Sequence, residues 1–116
     1  MSIWAHVIGC IRIDGILAIG DDKKDIEKII GPMSLWDSWN DDSTLPVGSE
    51  GSLQYKIIEY ADGLPWLVIP IWGDLRDYEN ISEIKKWWEE LLIKLGIIRD
   101  AVLLIQIEGN EQIILT

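Results

Sequence analysis

LPWLVIPIWGDLRDYENISEIKKWWEELLIKLG, residues 64–96, joins an apolar strand to an amphipathic helix, and that pair decides the fold class. The run from Leu64 to Trp72 is β-branched and aromatic, which suits a pleated, largely buried surface. It is interrupted by Pro70 and closed by Gly73, so it reads as a strand. Further on, Asn80 and Glu83 match a capping box, and Ile84, Trp87, Trp88, Leu91, Leu92 and Leu95 recur at helical spacing until Gly96. A helix with one apolar stripe needs a sheet or another helix to bury it.

Working outward, residues 3–13 alternate. Ala5, Val7, Gly9, Ile11 and Ile13 face one way, and Trp4, His6, Ile8, Cys10 and Arg12 face the other. Asp14-Gly15 accepts a tight hairpin turn, so residues 16–19 are expected to fold back as a short strand. Asp21 or Asp22 can cap a short helix whose apolar residues Ile26, Ile29 and Ile30 share a face, with Gly31-Pro32 as its stop. Residues 53–60 read as a second main strand, turned by Ala61-Asp62-Gly63 into the strand at 64–72. Residues 101–108 form the last main strand, and Gly109-Asn110 turns it into a short partner at 112–116.

The resulting order is βαββαβ with an extra short strand after the first and after the last main strand. That is an α+β, ferredoxin-like two-layer sandwich, with both helices on one face of a mostly antiparallel sheet. One feature conflicts with it: Pro70 falls on a central strand, where it removes a ladder hydrogen bond. A bulge there, or another strand order, is the expected remedy. The whole chain, residues 1–116, is the size of one domain, with a long aperiodic loop at 31–51.

Twenty acids against ten bases give a net charge of −10. Such a surface repels nucleic-acid phosphates and anionic membranes, so neither is an expected partner. A basic protein surface is. No apolar stretch approaches the roughly 20 residues of a membrane helix. The first residues, Met1-Ser2-Ile3-Trp4, lack the basic start and apolar core of a signal peptide, and the single Cys10 allows no internal disulfide. The expected location is the cytoplasm.

Motifs of catalysis and cofactor binding are not legible. His6 and Cys10, four residues apart on a strand, stand about 13 Å from each other and cannot share a metal. Gly48-Ser49-Glu50-Gly51 lacks the lysine and strand-to-helix setting of a phosphate loop. Asp37, Asn40, Asp41 and Asp42 do not follow calcium-loop spacing. No cofactor is expected.

Two aromatic and acidic clusters remain. One holds Trp36, Asp37, Trp39, Asp41 and Asp42; the other holds Trp72, Asp74, Arg76, Asp77 and Tyr78. Aromatic rings give large contact area at low entropic cost, and carboxylates steer a basic partner toward them. The plainer alternative is that the tryptophans pin the long loop to the domain while Arg76 pairs with Asp74 or Asp77. By alternation Trp4, Ile8, Trp66 and Val68 lie on the sheet face away from the helices, which makes that face unusually apolar. Either the long loop or a second copy of the chain would cover it, in the second case with Trp4, Ile8 and Trp66 as the self-association contacts.

The blocks Trp4-Ala5-His6-Val7-Ile8-Gly9-Cys10-Ile11-Arg12, Gly48-Ser49-Glu50-Gly51-Ser52-Leu53 and Gly73-Asp74-Leu75-Arg76-Asp77-Tyr78 resemble small uncharacterised proteins of bacteriophages and prophages. The resemblance implies an intracellular role during infection or lysogeny, directed against a host defence enzyme. It brings no catalytic residues with it. Three functions follow as expectations. The first is a non-enzymatic acidic binding protein that engages a basic protein surface, as an inhibitor, immunity-like or anti-defence factor. The second is a self-associating structural or assembly protein that uses the open sheet face. The third is an enzyme acting on a sugar with carboxylates alone, for which no pair of acids has a fixed spacing in an apolar setting.

Overall fold

The structure, a computed structural model, describes residues 3–14, 22–32, 45, 46, 48, 50–59, 66–77, 81–96, 98, 100–109 and 112–116. Its elements are β1 (Trp4–Asp14), α1 (Asp22–Ile30), β2 (Gln54–Tyr55), β3 (Ile58–Glu59), β4 (Trp66–Arg76), α2 (Ile81–Leu95), β5 (Asp100–Ile107) and β6 (Gln112–Leu115). Among the described residues they form one antiparallel sheet in the order β2-β4-β1-β5-β6, with β3 also paired to β4. The expected hairpin partner at 16–19, the turn at 61–63 and the Asn80 cap lie outside the described residues.

Alternation in β1, β4 and β5 sends Ala5, Val7, Ile11, Ile13, Leu67, Ile69, Ile71, Leu75, Leu103, Ile105 and Ile107 to one face. There they form a single core with Ile26 and Ile30 of α1 and Ile84, Trp88, Leu91 and Leu95 of α2. The two helices also touch each other. This is an α+β two-layer arrangement, helices on one side and a sheet on the other. Each helix stops at a glycine in the left-handed region, Gly31 (φ 92°) and Gly96 (φ 75°), whose N–H closes the last turn onto Glu27 and Leu92.

Two boundaries differ from the sequence reading. The strand expected at 64–72 runs on to Arg76, because Gly73 and Leu75 continue the inward alternation and the eleven residues of β1 pair with it throughout. Asp74 and Arg76 thus belong to a strand rather than to a loop. The strand expected at 53–60 is split into β2 and β3. The cause is Pro70. Its ring nitrogen and carbonyl point toward Lys56, which donates its N–H to the Pro70 oxygen at 3.2 Å but can receive no N–H in return. The ladder lapses there and resumes in unchanged register, Tyr55 opposite Ile71 and Ile58 opposite Val68. The strands pass Pro70 without a bulge. On its other side Pro70 lies opposite Cys10 with no ladder bond to lose, and β1 pairs unbroken.

Candidate functional site

The sheet face away from the helices carries the even-numbered residues of β1, β4 and β5. Cross-strand register assembles them into rows. Gln54, Trp72, Ile8, Leu104 and Ile114 form one row across five strands. Ile8 and Ile114 are each 60% exposed and Trp72 is 44% exposed. Val102 and Ile58 add further exposed apolar surface on the same face, whose neighbouring row also holds Pro70 and Cys10. A face this apolar departs from the polar outer face of an ordinary two-layer domain.

One end of this face is ionic. His6 Nδ1 lies 2.7 Å from Asp74 Oδ1, its cross-strand neighbour, and His6 Nε2 lies 3.7 Å from Glu108 Oε1. Arg76 Nη1 donates to Glu50 Oε1, and its Nε lies 3.8 Å from Asp77 Oδ2. Glu50 is delivered by a tight segment in which Gly48 N–H donates to the Gly51 oxygen and Arg76 N–H donates to the Glu50 oxygen. Gly51 has φ 78°, and a Cβ there would stand 2.0 Å from the Asp74 carbonyl oxygen, so only glycine fits. Asp77 itself has φ 56°, a conformation that Asp tolerates better than most residues. An open cleft of about 400 Å³ joins the ionic and apolar parts, lined by His6, Ile8, Trp72, Asp74, Leu104 and Gln106 among others.

Of the second sequence cluster, Trp72, Asp74, Arg76 and Asp77 are brought to one end of this face. Tyr78 lies outside the described residues. So do Trp36, Asp37, Trp39, Asp41 and Asp42 of the first cluster. Trp4, half-buried, and Ile8 lie on the open face; Trp66 begins β4 opposite Asp14, and only its backbone is described. Arg76 pairs with Asp77, and also with Glu50, a partner 26 residues away that sequence spacing does not show. His6 and Glu108 are likewise added by register alone.

Cys10 is partly buried on the same face, and burial pushes its thiol pKa up, the opposite of an activated nucleophile. Among the described residues no three of His, Cys, Asp and Glu gather closely enough to hold a metal. No helix there is long and apolar enough to cross a membrane. Comparison of the chain with protein-family models, curated protein sequences and solved structures returns no match.

Proposed function

We propose that the chain is a non-enzymatic binding protein that takes a basic protein partner on the open face of its sheet. The observation carrying this is the apolar row Trp72, Ile8, Leu104 and Ile114, exposed at Trp72, Ile8 and Ile114, set beside Asp74, Glu108 and Glu50. Trp72 serves as the anchor, and the carboxylates, backed by the net charge of −10, steer the approach. An inhibitor or immunity-like factor, or one directed against a host defence enzyme as the phage-protein resemblance implies, needs no more than this. The fold reading extends in the same way to the ferredoxin-like plan. It is supported by α1 leading from β1 past β4 to β2 and β3, and α2 leading from β4 past β1 to β5. β6 and the gap at Pro70 are then additions to that plan.

The test is affinity capture of tagged protein from extracts of its source cells, followed by mass spectrometry. Wild type should retain one basic protein, and both Trp72→Ala and the pair Asp74→Lys, Glu108→Lys should lose it at least about tenfold, as loss of a hot spot or of steering requires. Equal capture by all three proteins sinks the proposal.

A further inference from the structure

We infer that β6 is a homodimerisation edge, along which two copies of this chain join their sheets by antiparallel pairing about a two-fold axis. The argument rests on hydrogen-bond direction and stands apart from the partner proposed for the face. In an antiparallel ladder the N–H and C=O of successive residues point to opposite sides. Glu108 N–H donates to the Trp4 oxygen, so the even residues of β5 bond toward β1 and its odd residues toward β6. Leu103 with Leu115 and Ile105 with Ile113 are therefore the bonded pairs. Gln112 and Ile114 turn their N–H and C=O outward. Among the described residues nothing pairs with that side of the strand.

Protein edges are normally guarded by charge, proline or a bulge. Gln112-Ile113-Ile114-Leu115-Thr116 has none of these, in a chain where 26% of residues are charged. Register selects the geometry. Residues opposite each other share a face, so a two-fold through Ile114 sets it against Ile114 of the partner subunit and Gln112 against Thr116 of the partner subunit. The apolar row Trp72, Ile8, Leu104 and Ile114 then runs on into the same row of the second copy. Like charges do not forbid the union: Leu104 is level with Ile114, so Glu108 of one copy lies three strand spacings across and eight residues along from its counterpart, about 30 Å in all. That exceeds the Debye length of about 8 Å at physiological salt.

Sedimentation equilibrium of the intact chain up to about 100 µM tests this, since dimer formation follows mass action. Wild type should be a dimer. Ile114→Pro should be a folded monomer, because the lost N–H faces outward, as Pro70 already demonstrates on β4; retained amide protection at Leu103 and Ile105 reports the intact β5 and β6 ladder. Ile114→Lys, which keeps the N–H but sets like charges opposite each other, should also be monomeric. Ile8→Lys, two strands from the edge, should remain a dimer. A monomeric wild type overturns the inference, as does a dimer that survives both Ile114 variants or one that Ile8→Lys breaks.

Discussion

Tyr55 ties the end of α1 to the sheet edge. Its ring is buried among the core residues, and its hydroxyl donates to the Gly31 carbonyl at 2.9 Å, where α1 has just ended. Burial, and secondarily the Glu27 carboxylate, hold its pKa above the ordinary 10.0. Tyr55→Phe should cost about 0.5–1.5 kcal/mol at neutral pH, the net value of one such bond. The pH dependence has a definite sign. The unfolded chain releases the phenol proton near pH 10 while the folded chain keeps it, so the contribution is full below that value and falls as pH rises through the folded pKa. Urea titrations between pH 9 and 11 should show wild type losing more stability than Tyr55→Phe, and parallel losses would remove Tyr55 from the account. Gly51 and Gly96 offer a second contrast at this scale, since both have positive φ but only Gly51 has backbone against it. Gly96→Ala should cost about 1–2 kcal/mol for the left-handed conformation alone. Gly51→Ala should cost clearly more, and equal denaturant midpoints for the two would contradict the close approach to Asp74.

At the scale of elements, Pro70 separates what sequence shows from what it hides. The periodicity of α2 was legible because six apolar residues repeat at one spacing between a capping pair and Gly96. The open face was legible in part, since alternation alone puts Trp4, His6, Ile8 and Cys10 together. The composition of the site was not, because His6 meets Asp74, and Arg76 meets Glu50, only once the register between strands far apart in sequence is set. The gap between β2 and β3 was hidden for the same reason: its cause sits on the neighbouring strand. Pro70→Val should supply the missing N–H to Lys56 and join β2 to β3 without shifting register. The new bond, worth about 0.5–1.5 kcal/mol, is offset by about 0.4–1 kcal/mol of freedom returned to the unfolded chain. Stability should therefore change by less than about 1 kcal/mol. Hydrogen exchange should show a protected amide at position 70, and a freely exchanging one would mean that the strands part for some other reason. Trp88 is a related case on α2: it is 1% exposed and its Nε1 has no hydrogen-bond partner among the described residues, so its place is owed to ring packing. Trp88→Phe, which removes that buried donor, should accordingly be far milder than Trp88→Ala, whose cost should be about 3–5 kcal/mol by thermal unfolding.

For the molecule as a whole, the charge of −10 and the apolar sheet face act against each other. Repulsion between like-charged copies keeps a protein with exposed Ile8, Trp72 and Ile114 dispersed, and the same charge attracts a basic partner from a distance. Salt separates the two associations because it acts on them with opposite sign. Raising ionic strength from 0.01 to 0.15 M shortens the Debye length from about 30 Å to about 8 Å. Pairing through the neutral edge of β6 loses a repulsion and should tighten. Capture of a basic protein beside Asp74, Glu50 and Glu108 loses an attraction and should weaken, chiefly through a slower association rate. Sedimentation of the chain alone and surface-plasmon kinetics with the captured partner, run across the same salt series, measure both. If the self-association weakens with salt instead, ionic contacts such as those of Arg76 and Glu50 hold the copies together, and the interface lies on the face rather than on the edge.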